Sequence, residues 1–164
     1  MFKDIFNLVF NIFTTNKKKA TIISAFPGTG KSYLFRKLGS KVSDSDSSLF
    51  SKLSNGDKNP DFPNNYIQHI KSLIDKKDFI FVSSHKEVRE ALKANNIPFI
   101  LIYPNKSLLE NYIIRYTERG NENSFIDFIR KNWYNFIEEL SNETCQEKIE
   151  LKKDEYISDT YLFK

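Results

Sequence analysis

One stretch restricts this chain more than any other: ATIISAF (20–26), followed at once by PGTGKS (27–32). An uncharged run rich in β-branched residues reads as a buried strand. Pro27 and Gly28 close it. From about Lys31 the spacing of Leu34, Phe35 and Leu38 predicts a helix with those residues inward and Gly39 as its stop. A buried strand, a tight turn and a helix open a parallel crossover unit, which needs further strands beside it.

The rest of the sequence supplies them. KVSDSD (41–46) holds a short strand ending in two aspartates, and DFIFVSS (78–84), IPFILIYP (97–104) and part of EKIELKKDEYIS (147–158) read as strands. Tyr66, Ile70, Leu73 and Ile74 space as a helix, as do HKEVREALKANN (85–96) and SLLENYIIRYTERG (107–120), the last stopped by Gly120. Phe125, Ile129, Trp133, Phe136 and Leu140 share one helical face. Residues 51–65 form a turn-rich loop, marked by Asn-Gly, Asn-Pro and Phe-Pro pairs. Alternating strands and helices predict an α/β fold with a parallel sheet covered on both faces. Ligands of such sheets sit beyond the carboxyl ends of the strands. Four segments are expected there: Phe26-Pro27-Gly28, Ser43 to Asp46, Ser83-Ser84-His85 and Tyr103-Pro104.

Length and charge bound the partners. The chain has 164 residues, enough for one domain, expected over 20–164. A net charge of +4 suits polyanionic ligands and equally suits a mildly basic protein with no such partner. Cys145 is the single cysteine, which excludes an internal disulfide and fits a reducing cytoplasm. No apolar run is long enough to span a membrane. Residues 1–19 form an expected N-terminal extension, an amphipathic helix with Phe2, Ile5, Phe6, Val9, Phe10 and Phe13 on one side. That stripe suits packing on its own domain or a homodimer contact better than lipid, because its polar face is not Lys-rich.

AFPGTGKS (25–32) follows the phosphate-loop pattern G-x-x-x-x-G-K-[ST], with Ala25 in place of the first Gly. Gly28 and Gly30 let the backbone turn its N–H groups towards a phosphate, and the helix that follows adds the positive end of its dipole. The expected ATP-binding segment is Pro27, Gly28, Thr29, Gly30, Lys31, Ser32 and Tyr33, with Lys31 reaching the β- and γ-phosphates and Ser32 on Mg²⁺. Asp44 and Asp46 fall on the same rim. Asp44 is expected on the Mg²⁺ side, and Asp46 is expected to accept a proton from an attacking hydroxyl. By themselves these residues also suit a polar turn. Arg115 and Arg119 share a helix face and are expected to stabilise the transferring phosphoryl; Glu110 and Glu118 offer them a purely structural alternative. Asp61, Phe62, Asn64, Asn65, Tyr66 and His69 could hold a nucleobase or simply build a loop and a helix start, and His85 lies on the correct rim.

AFPGTGKS with the downstream DSD resembles the small P-loop kinases: nucleoside monophosphate, shikimate and gluconate kinases, and polynucleotide 5′-kinases. NPDFPNNYIQHIKSL, FVSSHKEVREAL and YPNKSLLENYIIRYTERG look like small phage-type nucleotide kinase-like proteins, over roughly Ala20 to Asp159. The resemblance implies a five-stranded parallel sheet of order 2-3-1-4-5, with Asp44 metal-side, Asp46 substrate-side, and Arg115 and Arg119 in a lid. SSHKE stands where nucleoside monophosphate kinases carry an arginine segment, the lid is short, and the shikimate-binding arginine and Gly-Gly motifs are absent. The expectation is therefore an ATP- and Mg²⁺-dependent phosphotransferase acting on a nucleotide or nucleoside acceptor. The alternatives are a kinase of polynucleotide 5′-ends or modified DNA bases, and an ATP-binding switch that phosphorylates no acceptor.

Overall fold

Strand β1 (Thr21–Ala25) is buried along almost its whole length, and it lies at the centre of the sheet. The computed structural model describes residues 19–164. The expected amphipathic helix, and the dimer contact built on it, fall on residues 1–18, outside the described residues. Helix α1 (Lys31–Leu38) is followed by β2 (Val42–Asp44), the single-turn α2 (Ser48–Ser51) and α3 (Asn64–Leu73). Then come β3 (Phe79–Ser83), α4 (Lys86–Ala94), β4 (Ile100–Pro104), α5 (Leu109–Glu118), α6 (Asn123–Ser141) and β5 (Glu147–Leu151). Two short 3₁₀ turns, Ile157–Asp159 and Tyr161–Phe163, finish the chain.

The five strands form one all-parallel sheet in the order β2-β3-β1-β4-β5. Alternation along each strand divides the interior. Ile22, Ile80, Val82, Leu101 and Tyr103 face a core closed by α3, α4, α5 and α6, with Trp133 at its centre. Ile23, Ala25, Phe81, Ile100 and Ile102 face a smaller core closed by Leu34 of α1 and by Ile157, Leu162 and Phe163. Helix α4 is pinned to α6 by the buried Arg89, which pairs with Glu139 and with Glu143 at 3.2 Å.

Two expectations need correction. Phe35 is 43% exposed, so α1 docks through Leu34 and Leu38 while Phe35, one step of about 100° past Leu34, turns off the sheet. In α6 the deepest residues are Ile126, Ile129, Trp133, Ile137 and Leu140, with Phe125 and Phe136 half-buried at the edge of the face.

Candidate functional site

Because all strands are parallel, the loops after β1, β2 and β3 open onto one rim. A cleft of about 1000 Å³ lies there. Its walls include Gly28, Gly30, Lys31, Ser32, Asp44 and Asp46.

The loop after β1 curls because Gly28 (φ 80°) and Gly30 (φ 104°) take left-handed backbone angles. Thr29 Oγ1 donates to Phe26 O at 2.7 Å and fastens the curl from below. Among the described residues, none of the N–H groups of Gly28 to Ser32 donates to a protein acceptor. Such a row of free donors at a helix start suits phosphate oxygens. Lys31 Nζ folds back inside the curl and donates to Ala25 O at 2.6 Å and Phe26 O at 3.2 Å. Burial lowers its pKa from 10.5 to about 8; the positive charge of Arg119 adds to this, while Asp44 and Asp46 oppose it.

Asp44 ends β2, and Asp46 follows it in the extended segment before α2. Asp44 and Asp46 point one way, and Ser45 between them points inward. Ser45 O accepts from Tyr66 Oη at 2.5 Å, and its hydroxyl lies 3.1 Å from His69 Nε2. Ser32 Oγ donates to Asp44 Oδ2 at 3.0 Å, so the two expected metal-side residues meet directly. Asp46 Oδ1 accepts from the Ser48 N–H at 2.9 Å. No cluster of three or more His, Cys, Asp or Glu side chains suited to a metal exists among the described residues. The Ser32–Asp44 oxygens fit Mg²⁺ chemistry, in which phosphate oxygens and water complete the set.

Both arginines line the cleft, but they are held differently. Arg119, exposed just past α5, lines the cleft near Lys31. Arg115 is engaged within the wall: its guanidinium lies 4.6 Å from the Tyr112 ring and 4.1 Å from the Tyr156 ring. It donates to Gly28 O at 3.3 Å and reaches Glu155 O at 3.5 Å. Tyr116 Oη donates to Pro27 O at 2.8 Å. Burial pushes the phenols of Tyr112 and Tyr116 up, that of Tyr112 to about 12, so both stay protonated. Tyr33, the last residue of the expected ATP segment, is 52% exposed and lines the cleft.

The segment proposed for a nucleobase is otherwise employed. Phe62 and Tyr66 are buried, Asn65 Nδ2 donates to Phe50 O at 2.9 Å, and His69 packs on Phe50 at 4.7 Å between ring centres. None of the six candidates lines the main cleft. Asn65, Tyr66 and His69 brace the segment that follows β2, while Phe62 lines a smaller groove beside the cleft. His85 does line the cleft, and burial together with the charges of Lys31 and Arg89 lowers its pKa.

Sequence reasoning missed Tyr156 and Ile157. The Ile157 N–H donates to Thr29 O at 3.0 Å, and the Tyr156 side chain lies against Gly30. No local pattern announces a tyrosine after the last strand as part of a loop near the first. No helix among the described residues is long and apolar enough to cross a membrane. No family model matches the chain, and no curated protein matches it.

Proposed function

We propose that this protein is a P-loop-type phosphotransferase that moves the γ-phosphoryl group of ATP to a nucleotide or nucleoside acceptor. One observation carries the reading: the free N–H row of Gly28 to Ser32 lies around a half-buried Lys31 beside the Ser32–Asp44 pair, at the carboxyl end of a parallel sheet. The N–H groups and Lys31 bind the phosphates. Ser32 and Asp44 would hold Mg²⁺, which when bound draws charge from the phosphate oxygens. Asp46 orients the acceptor. With a hydroxyl acceptor it takes the proton while the acceptor oxygen bonds to phosphorus and the β–γ bridging bond breaks. Arg119 offers charge to the equatorial oxygens. Arg115 is a positioning residue that holds the loop through Gly28.

A second reading has support of its own. Only Arg119–Glu122 join α5 to α6, so no lid segment stands between those helices. Enzymes of small free acceptors commonly close a lid to exclude water. An open cleft favours an acceptor group carried on a nucleic acid, at a 5′-end or on a modified base.

ADP release from Mg-ATP tests both. The panel holds nucleosides, their monophosphates, shikimate, gluconate and 5′-hydroxyl oligonucleotides, with Lys31→Ala as control. A single acceptor that stimulates the wild type and not the control establishes the reaction and names the substrate. ATP binding with no stimulation by any acceptor refutes it in favour of a nucleotide switch.

A further inference from the structure

The main cleft does not end at Asp46. It continues into a second groove of about 270 Å³, and Ser51, Lys52 and His85 line both. The outer wall of this groove is a hairpin. Leu53 N–H donates to Asp57 O at 2.8 Å, Gly56 N–H to Leu53 O at 2.9 Å, and Asn59 N–H to Ser51 O at 2.8 Å. The hairpin is seated by Asn59 Nδ2 and Asn65 Nδ2, both donating to Phe50 O.

This hairpin sets Lys52 and Lys58 opposite each other in an antiparallel bridge, and both line the groove. Like charges directly across a bridge repel. Glu87 of α4 answers only part of that charge, pairing with Lys58 at 3.7 Å with both side chains exposed. The groove therefore carries two cations, one carboxylate and the Ser51 hydroxyl, next to the aspartate assigned to the acceptor. An anion between the lysines removes the repulsion.

We infer that this groove is a phosphate subsite for the acceptor: it holds a phosphate monoester or diester that the acceptor carries beside its reacting group. The inference rests on the phosphotransferase reading for its purpose and on the hairpin for its geometry. It gives the acceptor a chemical class the cleft alone does not, a molecule already bearing phosphate. Free nucleotides and nucleic-acid strands both supply that chemistry.

The test measures binding without ATP, by calorimetry, for thymidine, thymidine 3′-monophosphate and a short 5′-hydroxyl oligothymidylate. The phosphate-bearing probes are expected to bind more tightly than thymidine. Replacing both lysines (Lys52→Gln with Lys58→Gln) should weaken them about tenfold, as two partly exposed ion pairs are lost. For the strand, the slope of log affinity against log salt should fall by about 1.4. Glu87→Gln, which frees Lys58, should tighten both. Lys76→Gln with Lys131→Gln, the same charge change on other surfaces, is the comparison. Tight binding of the strand alone assigns the phosphate to a nucleic acid; equal binding of the monophosphate assigns it to a free nucleotide. A phosphate preference untouched by both the lysine pair and Glu87→Gln overturns the inference, as does wild-type protein that binds no probe. Protein that holds phosphate through these lysines yet never turns over ATP refutes the phosphotransferase reading and keeps the subsite.

Discussion

Gly28→Ala is the sharpest perturbation of the loop. Gly28 has φ 80°, and a Cβ built on it would stand 2.9 Å from Tyr116 Cε1 and 3.4 Å from Tyr112 Cδ1. The Tyr116 ring has nowhere to go: it is fully buried, its hydroxyl is bound to Pro27 O, and Phe125 packs edge-on at 5.2 Å. Two costs add. A left-handed alanine costs about 1–2 kcal/mol. Overpacking a fixed wall costs about 1–3 kcal/mol more. The sum is about 2–5 kcal/mol, a large share of the roughly 5–15 kcal/mol that holds a domain together. Gly56 supplies the control. Its φ is 90°, and an added Cβ would meet nothing within 4 Å, so Gly56→Ala carries the backbone cost alone. Urea unfolding of both variants should therefore differ by about 1–3 kcal/mol, with unchanged m-values. Gly28→Ala should also lose ATP affinity, since relief of the contact displaces a phosphate-binding N–H. If the two variants unfold within about 0.5 kcal/mol of each other, the steric argument is wrong and the tyrosine wall yields.

Three further outcomes follow from the same contacts. Lys31 has a folded-state pKa of about 8 against an ordinary 10.5, so between those values the unfolded chain binds more protons. Stability of the ligand-free protein should rise with pH across that window, by roughly 3 kcal/mol at most from this residue, and the rise should be missing from Lys31→Met in a pH series of urea titrations. Arg115→Ala removes two cation–π contacts and should cost about 1–3 kcal/mol of stability, whereas Arg119→Ala should lower the rate of phosphoryl transfer with a change in stability of at most about 0.5 kcal/mol; thermal unfolding and single-turnover kinetics separate the two. Asp46→Asn should slow transfer to a hydroxyl acceptor by about 100-fold or more and leave transfer to a phosphate acceptor within about tenfold of wild type, as read from kcat/KM for each acceptor.

The three central strands, β1, β3 and β4, were legible because they are short apolar runs punctuated by Pro, Gly and Ser, and because parallel strands buried on both faces carry little polarity. The loop after β1 was legible for a different reason: its chemistry is local, and Gly28, Gly30, Lys31 and Ser32 are neighbours in sequence. Asp44 could be placed beside Ser32 because one helix and one short strand separate them, and topology does the rest. What failed was long-range. Periodicity counted Phe35 as inward because it cannot see that the C-terminal turns share the same sheet face. Arg115 does line the cleft, but nothing in the sequence shows that Tyr112 and Tyr156 close on its two sides. Tyr66 and His69 looked available to a base, yet they support Ser45 and Phe50 from beneath.

The fastening of the first loop by the last turns has a consequence for how the molecule is made. Thr29 leaves the ribosome early, and Ile157, whose N–H holds its carbonyl, emerges after all five strands have been synthesised. Until then the curl lacks both that bond and the Tyr156 side chain against Gly30. The curl and the surface that fastens it therefore come together only after the whole sheet exists, so this part of the rim is among the last to be completed as the chain folds during synthesis.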